Sequence, residues 1–153
     1  MSIKEKISSL GLSLPTAAAP VAAYVPAVKS GNLVFTAGQL PVVDGKLLKE
    51  GKVGSDVSAE EAKEFAQTCA LNALAAISLV ADLDQIERVI RVGGFVNCAP
   101  GFTAIPGVIN GASEFLIKIF GDVNGKHART AVGVAELPLN APVEVEVIVQ
   151  LKN

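Results

Sequence analysis

The sequence predicts an α+β fold, with one β-sheet carrying two helices on a single face. Three observations carry this. Near the C-terminus, Val143, Val145, Val147, Val149 and Leu151 alternate with Glu144, Glu146, Ile148 and Gln150, the period of a strand with one buried face. Two stretches, after Ser58 and after Pro106, repeat apolar residues at helical spacing. The intervening segments are rich in β-branched residues and bounded by Gly, Asn and Pro turns. The resulting order is β-β-α-β-α-β-β.

Each element has its own signal. Residues 2–10 read as a short helix, with Ile3, Ile7 and Leu10 near helical spacing. Pro15 to Pro20 is an Ala/Pro-rich extended arm. Tyr24–Val28 and Leu33–Gly38 flank a Gly31-Asn32 turn and read as a hairpin. A further turn at Val43–Lys46 leads to Leu47-Leu48. Ser58-Ala59-Glu60-Glu61 is a capping box, in which the serine hydroxyl takes one orphan amide and Glu61 reaches back to another. Ala62, Phe65, Ala66, Cys69, Ala73, Leu74, Ile77 and Val80 form the stripe of the helix that follows. A strand lies within 86–97. Pro106 opens the second long helix, whose apolar face is Val108, Ile109, Ala112, Phe115, Leu116, Ile119 and Phe120, and Gly121 stops it. Strands at about 129–136 and 143–151 close the chain.

Composition narrows the class. Over 153 residues, 50% are hydrophobic and 18% charged, enough for a single packed domain (1–153, with 1–20 as helix and arm) and an apolar subunit contact. A net charge of −2 without a basic strip argues against nucleic acid. Charges in the first residues argue against a secretory signal, and no stretch has the length of a membrane span, so a cytoplasmic protein is expected. Cys69 and Cys98 have no CxxC spacing, and His127 is the only histidine, which argues against a zinc site and constrains any histidine-based nucleophile. No cofactor or metal is expected.

The most informative segment is Ala128-Arg129-Thr130-Ala131 through Leu137-Pro138. It sets an arginine at the mouth of an apolar strand, where a guanidinium needs an anionic partner, either a structural glutamate or a ligand. Glu146, Asn110 and Tyr24 each have a structural reading too: a solvated strand glutamate, a helix-surface amide, an aromatic at a core edge. Cys98 reads as a small buried hydrophobe and His127 as a loop histidine.

Three segments together resemble the Rid (YjgF/YER057c/UK114) family of reactive intermediate deaminases: Tyr24-Val25 with Gly31 through Pro41, Val108-Ile109-Asn110, and Ala128–Ala131 with Leu137-Pro138 and Val143–Glu146. The N-terminal helix and the stretch Asn97–Phe102 resemble a longer subgroup. The resemblance implies a chorismate-mutase-like fold and a homotrimer enclosing a barrel, with clefts between subunits. It implies cofactor-free hydrolysis of enamines and imines, such as 2-aminoacrylate, to 2-keto acids and ammonia. Arg129 would anchor the substrate carboxylate and Glu146 would position water, with Tyr24, Ala37, Gly38 and Asn110 lining the cleft. The chain departs from the family pattern at Ala37, where a serine is common, and at Ala131, where a cysteine is common. Two alternatives follow: a trimeric protein that binds small carboxylates without turnover, and, more weakly, the endoribonuclease activity once assigned to the family.

Overall fold

A computed structural model describes residues 1–19 and 22–153. A five-stranded sheet is made of β1 (Ala27–Ser30), β2 (Leu33–Thr36), β5 (Ile86–Asn97), β6 (Ala128–Val134) and β7 (Val143–Leu151), in the spatial order β1-β2-β7-β5-β6. All neighbours are antiparallel except β5 and β6. That parallel pair needs a crossover, which is α3 (Ile105–Gly125). A small hairpin of β3 (Val42–Val43) and β4 (Lys46–Leu47) stands apart from the sheet. The α+β expectation holds, with this hairpin and the parallel pair as additions.

One face of the sheet carries the core. The valines at 143, 145, 147 and 149 are all buried, with α2 (Ala59–Ile77) packed over their strand and α3 over β5 and β6. The capping box at Ser58 forms as expected: Glu61 N donates to Ser58 Oγ at 3.1 Å and Ser58 N to Glu61 Oε2 at 2.9 Å. The alanines of α2 allow close approach to α3, and at Gly111 a Cβ would meet the Lys63 carbonyl. α2 stops at Ile77, so Val80 lies beyond it and is exposed rather than on its buried stripe. α3 breaks at Gly121, whose φ of 82° suits glycine alone.

Several boundaries differ from expectation, among them β2, which ends at Thr36 rather than Gly38, and β6, which ends at Val134 rather than near 136. The first strand begins at Ala27 rather than Tyr24, because Pro26 has no N–H for a ladder. The expected N-terminal helix is α1 (Ile3–Ser9), which buries Ile3 and Ile7. Lys6 Nζ donates to the Ile119 carbonyl at 3.0 Å, capping α3 just before its break. The arm as expected, 15–20, runs into Pro20, which lies outside the described residues.

Candidate functional site

Arg129 is the second residue of the edge strand β6. It pairs in register with Val92, which pairs with Val147, and both valines are buried under the helices. Residues in one register row share a face, so Arg129 points to the helix side. There its Nη1 donates to Asn110 Oδ1 at 2.8 Å and to Ser113 Oγ at 3.2 Å, and its Nη2 to the Pro106 carbonyl at 3.4 Å. Asn110 and Ser113 lie three apart on α3 and so present one face. A guanidinium has more donors than these contacts use, and the Nε edge is left over. All three acceptors are neutral. Among the described residues no carboxylate is ion-paired with Arg129. The cation is thus oriented without being neutralised.

Behind it lies His127. Its Nδ1 is 2.6 Å from the Gly125 carbonyl and its Nε2 is 2.9 Å from Ser113 Oγ. Burial holds the imidazole below its ordinary value; the Gly125 carbonyl opposes this and the Arg129 charge adds to it.

The carboxylates lie elsewhere. Glu144 and Glu146 project from the open face of the sheet, opposite the helices. Glu144 packs against Gly38 so closely that a Cβ there would stand 2.8 Å from its carboxyl carbon. Burial raises its carboxyl above the ordinary value, and the neighbouring Glu146 charge raises it further. Glu146 is exposed and lies beside Gly93 instead, where a Cβ would stand 2.7 Å from its Oε1. Gly38 therefore meets Glu144, whereas Glu146, the glutamate given the water-positioning role by the resemblance, lies against Gly93. Both residues share a face, so alternation alone could not separate them.

The remaining predicted residues fall into the same two groups. Asn110 joins Arg129. Ala131, opposite Gly94, faces the helix side near it. Tyr24 and Gly38 border a cleft of ≈ 450 Å³, together with Pro26, Leu40, Asn72 and the arm residues Ala17 and Ala18. Ala37, next to Gly38, donates its amide to the Pro26 carbonyl at 2.8 Å. Thr36 Oγ1 accepts from Val147 N at 3.0 Å, so the end of β2 shares the register row of Arg129. Between them lie β7 and β5, a span of about 14 Å at ordinary strand spacing. Within one chain the structure brings Arg129 together with Asn110, and Tyr24 together with Gly38, but it does not bring the arginine to either glutamate.

Burial pushes both thiols up, Cys69 well above its ordinary value, so neither is an activated nucleophile. Glu144, Ser113 and His127 are the residues that the motif reading passed over. Ser113 was findable, since it stands three residues from Asn110 on the same helix face.

Residues 4–151 match the family described as "YjgF/chorismate_mutase-like, putative endoribonuclease". Protein TCP17 of Trypanosoma cruzi is 40% identical, over 99% of this chain and 95% of its own length. A 2-iminobutanoate/2-iminopropanoate deaminase of Dermatophagoides farinae is 31% identical, over 92% of this chain and 95% of its own. A solved structure from Agrobacterium tumefaciens is 43% identical and superposes with a TM-score of 0.88, covering 98% of this chain and 92% of that one. The chain belongs to the YjgF/Rid family.

Proposed function

We propose that the protein is a cytoplasmic, homotrimeric hydrolase of small 2-imino and 2-enamino acids, releasing 2-keto acids and ammonia. The observation that carries this is the Arg129 guanidinium, held by Asn110, Ser113 and Pro106 yet, among the described residues, paired with no carboxylate. Such a group is suited to a ligand carboxylate, which supplies the missing charge through paired hydrogen bonds.

The electrophilic imine carbon then needs a water molecule and a proton acceptor. The family resemblance gives Glu146 the water-positioning role; burial and contact with Gly38 favour Glu144 as the proton acceptor. A carboxyl raised above its ordinary value takes a proton from water more readily. In the reaction the carboxylate accepts the water proton as the C–O bond forms and returns it to nitrogen. The carbinolamine then collapses to a ketone and ammonia. Arg129 and Glu144 lie on opposite faces of one sheet, so one ligand meets both only if a second copy contributes. A cyclic trimer that sets the β6 edge of one copy beside Gly38 and Glu144 of the next meets that requirement.

Ammonia release from 2-aminoacrylate generated in situ tests the reading. The wild type should accelerate it, and Arg129→Met should do so far less at low substrate concentration; no acceleration by the wild type defeats the hydrolase. Ala37 and Ala131 favour a second reading, a protein that binds small carboxylates without turnover. Calorimetric binding of 2-ketobutyrate together with a null ammonia assay would select it.

A further inference from the structure

We infer that Ser113 and His127 form a positioning relay that aims Arg129 at its anionic ligand and couples the imidazole to that ligand; the ligand half of this rests on the carboxylate reading above. The direction of each hydrogen bond can be worked out. The Gly125 carbonyl only accepts, so His127 Nδ1 carries the proton. In the neutral ring Nε2 is then an acceptor, and the Ser113 hydroxyl must donate to it. With its hydrogen committed, Ser113 Oγ offers a lone pair to Arg129 Nη1. Asn110 Oδ1 takes the other hydrogen of the same nitrogen. Nη1 is thereby fixed, and the Nε edge is turned toward the free side of the guanidinium. Ser113 is buried, with 9% exposure, so water does not readily substitute for it.

The relay also has an electrostatic consequence. Arg129 on β6 is the charged group that acts on His127; Lys126 precedes it in the chain and is exposed, and Glu114 on the adjoining helix turn is paired with Lys63 at 3.0 Å. An anion seated on Arg129 cancels the charge that disfavours imidazolium, and in that form Nε2–H donates to Ser113 Oγ, whose second lone pair still accepts from Arg129 Nη1. Ligand binding and His127 protonation therefore favour each other, whatever the reaction.

His127 is the only histidine, so its imidazole resonances report without assignment. The experiment is an NMR pH titration of the full-length protein, with the nitrogen shifts reading the tautomer. In the wild type Nδ1 carries the proton at neutral pH. In Arg129→Met the titration midpoint should move up without any ligand, and in the wild type saturating 2-ketobutyrate should move it up as well. His127→Ala should weaken 2-ketobutyrate binding roughly five-fold, the loss of about one hydrogen bond, while His127→Gln, which keeps an acceptor, should largely restore it. An unmoved midpoint in Arg129→Met, or equal weakening by Gln and Ala, overturns the relay. If 2-ketobutyrate fails to bind the wild type, the anchor reading fails, and the ligand-free Arg129→Met titration still decides whether the relay exists.

Discussion

The edge of β6 and the open face near Gly38 are built from opposite deficits. The edge holds a cation fixed by three neutral acceptors, with no carboxylate paired to it among the described residues. The open face holds two glutamates two residues apart, one of them with its carboxyl raised by burial, and among the described residues no cation is paired to either. A protein selected for stability alone would neutralise each within the chain. Leaving both open, on opposite faces and two strand spacings, about 10 Å, apart, makes sense if they complete each other across copies.

Substitutions break or sharpen this contrast. The largest effect is expected for Glu144→Gln, which removes the proton acceptor and should lower kcat about a hundred-fold or more while carboxylate affinity holds. Glu146→Gln in the same assay should change kcat less than about two-fold, so a larger loss there than at Glu144 would reverse the assignment. Arg129→Met should cost about 10- to 100-fold in kcat/KM, mostly through KM, as expected for charged hydrogen bonds to a bound carboxylate. The pattern of kcat against KM thus separates the two regions.

Smaller effects follow from ionisation. Glu146 helps hold the Glu144 carboxyl above 4.5, so Glu146→Gln should move the acidic limb of the kcat/KM profile to lower pH. Stability carries the same signature. Glu144 binds its proton more tightly folded than unfolded, so its contribution is complete below 4.5 and is lost as pH rises through the raised folded value. Urea unfolding at stepped pH should show Glu144→Gln less sensitive than wild type across that window, and more stable above it.

Much of the fold was legible because periodicity reports burial directly. The β7 alternation, the α2 stripe and the α3 face each follow from one buried side. The place of β7 between β2 and β5, and the parallel β5–β6 pair, are set by non-local packing that leaves no local pattern. The site divides similarly. Arg129 and Asn110 could be read from the motif, and they hydrogen-bond at 2.8 Å. Glu144 could not be told from Glu146, because the distinction depends on a glycine more than a hundred residues away in sequence that lets backbone approach one carboxylate and not the other. His127 read as a loop histidine, since its partners, Ser113 and Gly125, come from the middle and the end of α3.

Whether the site is shared can be asked directly by coexpressing Arg129→Met and Glu144→Gln chains and assaying ammonia release from the mixed oligomers. At substrate concentrations well below KM each variant alone should be nearly inactive. If every site takes its arginine from one copy and its glutamate from the next, random trimers leave about a quarter of the sites intact, and activity should rise toward about that fraction of wild type. Activity no greater than that of the two variants assayed separately would contradict a site assembled from two chains.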